Sequence, residues 1–429
     1  MSAPELEYID VSRLRVGMFI ELELDWMSHP FSLNRFKIRS QTQIDTIRSL
    51  GLQQVRYDPA RSDTLPLSEE KVEPVAVDTP EMIQARELAA EEIAQKKLAH
   101  KKEHEQQASL QECEKHYNDA CRQLRVLTKE VFSQPQQAKQ KVDALASSLI
   151  QELMDDNVAI RLLADRSGDE FTLHSVNVTV LSLLLGKNAG LEEAALHALT
   201  VGSLLHDIGK LSLPDRLRFQ NTQLSSAEKS LLKEHVAKGV EIGREMELPP
   251  HVLLAIGQHH ELADGNGYPS GINVHRMTVA ARIISLINRY DNLCNNANPL
   301  DMLTPHEALR TIFAQTRHEF DETLLASFVK MMGIYPPGSV VKLTDDRFGI
   351  VTSVNPNKPL KPTILAYEPK VAREHAPVIN LEHVNDLGIK QSIKPVQLPK
   401  AVFDYLAPRK QLSYFFEHTN RSLVMGEHG

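Results

Sequence analysis

Hydrophobic and polar positions change their period three times along this chain, and each change marks a new kind of element. At the start, Val16-Gly17-Met18-Phe19-Ile20-Glu21-Leu22-Glu23-Leu24 places an apolar run and then alternation after a glycine, and Phe36-Lys37-Ile38 gives another short extended piece. Ile44, Ile47 and Leu50 stand at helical spacing and stop at Gly51, and Gln54 to Tyr57 reads as a last strand. Residues 1–60 therefore form a small, mainly β module. Residues 61–80, rich in Pro, Asp, Glu and Ser, read as a linker.

From Glu81 to about Phe132 the composition shifts to Glu, Lys, Gln and Ala, which favours helix. Its apolar residues Ile83, Leu88, Ile93 and Leu98 keep no strict heptad, so a long solvated helix is expected rather than a regular zipper. Ser133 to Pro135 breaks it, and Val142, Leu145, Leu149 and Leu153 mark an amphipathic helix. Residues 81–157 form a charged helical connector.

Residues 158–330 are a succession of helix-length segments with short connections. Val178, Leu181 and Leu185 face one way, as do Leu196, Leu199, Val201, Leu204 and Leu205, and Val279, Ile283, Leu286 and Ile287 repeat the pattern. After Pro336-Pro337-Gly338 the period changes again. Ser339 to Leu343, a turn at Asp345-Asp346, Gly349 to Val354 and a third strand near Thr363 to Tyr367 give a β extension over 331–400. The tail, 401–429, shows no pattern. The expected architecture is multidomain: an all-α bundle flanked by a mainly β module and a short β-rich extension.

Charge narrows the partners. A formal net charge of −8 over 429 residues argues against a broad nucleic-acid-binding face, which needs clustered cations, but leaves room for a small phosphate substrate. Cys113, Cys121 and Cys294 have no zinc-knuckle spacing and read as free thiols of a reducing compartment. With no signal peptide and no long apolar stretch, a cytoplasmic protein without a membrane partner is expected.

The helical segment gathers the chemistry. Glu170, His174, His206, Asp207, His235, His259 and His260 are all metal-competent. Glu170 and His174, four apart, share one helix face. His206-Asp207 sits where an apolar helix ends before Gly209, so both side chains can enter a cavity, with Asp207 suited to bridging two cations. His235 and His259-His260 would complete a second ion and a third. Such a centre acidifies water and neutralises phosphate oxygens, as phosphodiester hydrolysis requires.

Lys210, one turn beyond His206, is placed to reach a phosphate oxygen. Asp264-Gly265-Asn266-Gly267-Tyr268-Pro269 reads as a tight loop exposing backbone N–H groups, with Tyr268 able to stack on a base. A lone histidine on an apolar helix is far more often a packing residue, which leaves out His197, His251, His275 and His306.

These motifs, taken in order, resemble the HD-GYP branch of the HD metal-dependent phosphohydrolases. The resemblance rests on Glu170…His174-Ser175, Leu205-His206-Asp207-Ile208-Gly209-Lys210, His235 within Lys233 to Gly239, and His259-His260-Glu261 with Asp264 to Pro269. It implies an HD-type helical bundle and hydrolysis of cyclic di-GMP to pGpG or GMP, with two or three Fe or Mn ions. Asp207 and Lys210 would be catalytic, and Lys210, Asp264, Gly265, Gly267, Tyr268 and Pro269 would contact substrate.

Leu14-Arg15-Val16-Gly17-Met18, Asp25-Trp26 and His29-Pro30-Phe31 resemble the small domain of unknown function that often precedes HD-GYP. The chain departs from the family in one neighbourhood. Asn288 stands at the position of an Asp metal ligand, and Ala297-Asn298-Pro299-Leu300 replaces an Arg/Lys phosphate clamp, with Arg282 and Arg289 as candidate substitutes. Asn offers a carbonyl oxygen without charge. A degenerate member that acts as a cyclic-dinucleotide receptor or protein-interaction module, or a cyclic GMP-AMP phosphodiesterase, are the alternatives. The N-terminal module and charged helix suggest a homodimer or a signalling-protein partner.

Overall fold

The computed structural model describes residues 7–24, 28–31, 33–67, 80–153, 158–163, 169–218, 224–296, 298, 301–355, 357–384, 386–408 and 411–418. Asp25 and Trp26, and Ala297, Pro299 and Leu300, lie outside the described residues. The chain divides into two compact units, Met1–Ala108 and Ser109–Gly429.

The first unit holds β1 (Glu7–Asp10), β2 (Phe19–Glu21), β3 (Arg35–Lys37), α1 (Gln41–Ser49) and β4 (Gln54–Asp58). They make an antiparallel sheet in the order β1-β4-β2-β3, with Ile9 opposite Val55 and Ile20 opposite Tyr57. Ser40 caps α1 by accepting from the Gln43 N–H, and Gly51 ends it with φ +76°, a backbone region other residues rarely adopt. Ile44 and Ile47 of α1 join Ile9, Ile20, Val55 and Tyr57 in one core. The first strand, β1, had no sequence signal. Chain beyond β4 folds back on this unit: the Asp63 N–H donates to Gly17 and the Leu67 N–H to Arg13.

Helix α2 (Pro80–Glu130) is the charged helix. Leu88 and Leu98 are exposed, as the broken heptad predicts, whereas Tyr117, Leu124, Leu127 and Val131 near its end are buried in the main core. Then follow α3 (Pro135–Leu153), β5 (Val158–Leu162), α4 (Glu170–Asn188), α5 (Glu193–Leu205), α6 (Asp215–Arg218), α7 (Ser226–Lys233), α8 (His235–Glu245), α9 (Pro250–Gln258), α10 (Val279–Cys294), α11 (Pro305–Gln315) and α12 (Glu322–Met332).

Helix α4 is buried on nearly every side, from Thr172 to Gly186, which makes it the central helix of the bundle. It packs on α5 and α10, and α9 packs on α5 and α8. Close approach is set by glycine: a Cβ on Gly202 of α5 would sit 2.7 Å from the Ala255 Cβ of α9. Among the described residues, no helix is long and apolar enough to cross a membrane.

The remaining elements are β6 (Val340–Leu343), β7 (Phe348–Val354), β8 (Thr363–Ala366), β9 (Val378–Asn380), β10 (Ile389–Ser392), α13 (Lys400–Leu406) and β11 (Tyr414–His418). The expected three strands are present, within a seven-stranded sheet of order β10-β6-β7-β5-β11, with β8 and β9 continuing from β7. Two of its strands come from unexpected places. β5 precedes the helical bundle, and β11 comes from the tail that showed no pattern; Ile160 pairs with both Phe416 and Val354. Tyr414-Phe415-Phe416 is buried on both faces, so it reads as a short apolar run without alternation.

Candidate metal centre

His174 projects from the second turn of α4, whose first turn is capped by Asp169 accepting from the Thr172 N–H. His206 ends α5, Asp207 opens the 3-10 turn Ile208–Ser212, His235 opens α8, and His259 ends α9. Helix ends therefore deliver the side chains, because the chain must turn there and the apolar helix behind anchors the turn. Gly209 brings two of these ends together: a Cβ there would lie 1.9 Å from the His235 carbonyl oxygen. Only a residue without a side chain allows α8 so near to Asp207.

Asp207 is the hub. Its Oδ1 lies 3.3 Å from His235 Nε2 and 3.8 Å from His259 Nε2; its Oδ2 lies 3.5 Å from His206 Nε2, 3.6 Å from His174 Nε2 and 2.6 Å from Lys210 Nζ. Two metal-competent groups result, one of Asp207, His235, His259 and His260, the other of His174, His206 and Asp207. Asp207 belongs to both. Glu170, one turn before His174, falls in neither. Asn288 is buried and accepts a hydrogen bond from Asn292 Nδ2 at 2.6 Å.

The other ring nitrogen of His174, His206, His235 and His259 is tied down. His206, His235 and His259 place Nδ1 2.7, 2.6 and 2.7 Å from the carbonyls of Ser203, Leu232 and Ile256. His174 Nδ1 lies 2.6 Å from Asp291 Oδ2. An Nδ1–H donated outward leaves each Nε2 lone pair facing the centre, the tautomer a metal ligand needs. His174 Nε2 and His206 Nε2 are 3.2 Å apart, as are those of His235 and His259. Two lone pairs that close repel unless a cation lies between them, and the spacing fits nitrogens about 2.1 Å from one ion. Asp207 Oδ1 is buried with no hydrogen-bond partner, which likewise fits a cation.

The electrostatics agree. Burial pulls the His206 imidazolium down to about 4, and lowers His235, His259 and His260 as well. Burial would raise the Asp207 carboxyl, but Lys210 and the surrounding rings outweigh it and hold it well below the usual range. Neutral imidazoles around an ionised carboxylate are the ligand forms.

The glycine-rich loop differs from expectation in one respect. Its N–H groups turn inward: Gly265 donates to Leu262 and Tyr268 to His260. Asp264 spends both carboxylate oxygens on Asn266. Tyr268 stacks on His260 with ring centroids 4.6 Å apart and carries Lys233 Nζ 4.7 Å from its ring centre. Gly265 needs its φ of +82°, and a Cβ on Gly267 would come within 2.4 Å of the Leu262 nitrogen. Pro269 is exposed at the loop's outer side.

Two acids of this region went unassigned in the sequence. Glu261, fully buried, accepts from the Ser270 and Ile272 N–H groups and so holds the loop. Asp291 holds His174 and in turn accepts from Asn177 and Asn295, both of which also bond the backbone of Leu412 just before β11. The His259-His260-Glu261 triplet hinted at the first. Asp291 carried no signal, since its partner is 117 residues away. Of the two candidate substitutes for the phosphate clamp, Arg282 is held by Asp321 and the Met277 carbonyl, while Arg289 is exposed.

Comparison with known families places this geometry. Residues 6–142 match the family described as a domain of unknown function, DUF3391, and residues 126–324 match the HD domain family. This chain belongs to the HD-domain proteins. A DUF3391 domain precedes the HD domain, and Gly267-Tyr268-Pro269 lies within the latter.

The chain is 27% identical to cyclic di-GMP phosphodiesterase PA4108 of Pseudomonas aeruginosa, over 89% of both chains. It is 30% identical to 3'3'-cGAMP-specific phosphodiesterase 3 of Vibrio cholerae, over 38% of this chain and 35% of that one. Among solved structures, the HDG"Y"P protein Bd1817 of Bdellovibrio bacteriovorus aligns over 76% of this chain and 98% of its own, with a TM-score of 0.41 and 17% identity.

Proposed function

We propose that this HD-GYP protein hydrolyses a cyclic dinucleotide, with cyclic di-GMP favoured over cyclic GMP-AMP. The observation that carries this reading is the convergence of histidine Nε2 atoms, each fixed from behind through Nδ1, on both oxygens of one buried carboxylate. The relatives named above support the substrate class. His174, His206 and Asp207 would hold one divalent ion, and Asp207, His235, His259 and His260 a second. Glu170 shares the α4 face of His174, and Asn288 precedes Asp291 by three residues on α10, which supports assigning both to the first ion.

When bound, the ions supply Lewis acidity toward water and toward the phosphate oxygens. Mixed imidazole and carboxylate ligands suit iron or manganese, the metals the family resemblance implies. Asp207 holds the two sides at a fixed separation. Lys210, kept against Asp207 Oδ2, places a point charge beside the reacting phosphate. Tyr268, its ring engaged by His260 and Lys233, would offer its hydroxyl to the substrate, Gly265 and Gly267 let the backbone lie close, and Asp264 and Pro269 shape the loop that Glu261 anchors. Water adds across one P–O ester bond to give linear pGpG, and a second addition gives GMP. Cys113, Cys121 and Cys294 are buried and form no disulfide, which suits a reducing cytoplasm.

A second reading is a receptor without turnover. Asn288 brings no charge and Arg282 is engaged elsewhere, so the grip on substrate phosphates is weak. Anaerobic purification with Fe or Mn, metal analysis and hydrolysis of both dinucleotides on the same sample separate the readings. Two or more ions per chain with linear product, abolished by Asp207→Ala, are expected. A loaded protein that binds without cleaving is the receptor, and one that does neither overturns both.

A further inference from the structure

We infer that the N-terminal unit carries a second binding site, for a nucleotide, in an open cleft of about 970 Å³ lined by Phe19, Phe31, Phe36, Arg39 and Arg61. The proposal does not rest on the metal-centre reading. This chain is acidic overall, yet the cleft is also lined by Arg35 and Lys37, which places four cations around one concavity. Two of the four are neutralised: Arg35 pairs with Glu21 at 2.7 Å and Lys37 with Asp63 at 2.8 Å.

Arg39 and Arg61 have no carboxylate partner among the described residues. Arg61 Cζ lies over the Phe19 ring, 3.6 Å from its centre, and the Phe31 and Phe36 rings meet at a tilt of 35° with centroids 4.6 Å apart. The wall bearing Phe31 is braced, because Lys96 Nζ reaches the carbonyls of His29 and Phe31 and His29 Nε2 bonds Asn34.

Two free guanidinium groups match the planar, bidentate geometry of a phosphate. Aromatic faces beside them are what a base stacks on. A free phosphate would use only the cations, and a cleft of this size holds a whole mono- or dinucleotide. A long nucleic acid would meet the negative charge of the rest of the chain.

Calorimetric titration of the full chain, stripped of metal with EDTA, tests the proposal with GMP, AMP, guanosine, inorganic phosphate and a 12-nucleotide single strand as probes. At least one mononucleotide should bind, with guanosine and phosphate each at least about tenfold weaker, a difference of about 1.4 kcal/mol. Arg39→Glu with Arg61→Glu should weaken nucleotide binding at least about tenfold, at unchanged thermal midpoint and unchanged metal content in the loaded protein.

Arg39→Glu alone, at an exposed position, should give part of the same loss should the double variant misfold. Nucleotide binding untouched by these changes, phosphate binding as tight as GMP, or a strand binding more tightly than any mononucleotide would each overturn the assignment, as would no binding at all.

Discussion

His235 and His259 meet Asp207 at Oδ1, with His260 in the same group, whereas His174 and His206 meet it at Oδ2, and the two sides are furnished differently. On the first side the carboxylate oxygen is buried and has no hydrogen-bond partner, three imidazoles face it, and His235 and His259 are each anchored within their own helical turn. On the second side Lys210 already occupies Oδ2, only two imidazoles are present, and His174 depends on Asp291 from a distant helix. One side is built from local contacts and leaves its oxygen free for an ion. The other shares its oxygen with a cation and borrows its order from the tertiary fold. The first side should therefore fill first when metal is titrated.

The largest effect belongs to the residue both sides share. Asp207→Ala should release both ions and lower turnover by about a thousandfold or more, as when a group on which the others depend is removed. Metal analysis and the hydrolysis assay check it, and retention of an ion on either side would contradict the hub role. Next, Gly209→Ala drives a Cβ into the His235 carbonyl, so α8 must move. A loss of about 1–3 kcal/mol in thermal or urea unfolding is expected, with weaker metal binding on the His235 side. An unchanged unfolding midpoint would show that the close approach is dispensable.

Asp291→Asn sharpens the contrast. It should weaken metal binding on the His174 side by about 10–100-fold, as loss of an outer-shell partner does, and leave the ion on the His235 side in place. Equal loss of both ions would erase the distinction between the sides. The smallest effect comes from a control remote from both. Burial raises the Glu307 carboxyl, but hydrogen bonds from Lys394 and Thr304 outweigh it and hold it below its ordinary value of 4.5. Its stabilising contribution is thus present above the unfolded value and lost as pH falls through the lower folded value. Glu307→Gln should flatten the fall of stability in acid, followed by circular dichroism, without altering metal titration.

Much of the candidate ligand set was legible because its signals are local: His206-Asp207 at a helix end, adjacent His259-His260, and Gly267 where the loop touches backbone. The helical segments likewise announced themselves, since Leu181, Leu185, Leu199 and Leu204 repeat at helical spacing and all are buried. The strand β11 was not legible, because a five-residue segment without alternation becomes a strand only when β5, more than 250 residues earlier in the chain, is there to pair with it. Asp264 was legible as part of a loop, but not that both its oxygens would serve that loop.

What the sequence determined by itself is the set of chemical groups and the short elements that carry them. Spacing, capping and glycine placement act over a few residues and need no distant partner. Only the tertiary structure decided which oxygen of Asp207 each histidine faces, that Asp291 steadies His174, and that the tail reaches the same acid through Asn177 and Asn295. The relations of Asp291 with His174 and Asn177, and of Asn295 with Leu412, join residues more than a hundred positions apart. Burial enforces them, because each of these polar groups must find its partner once water is excluded.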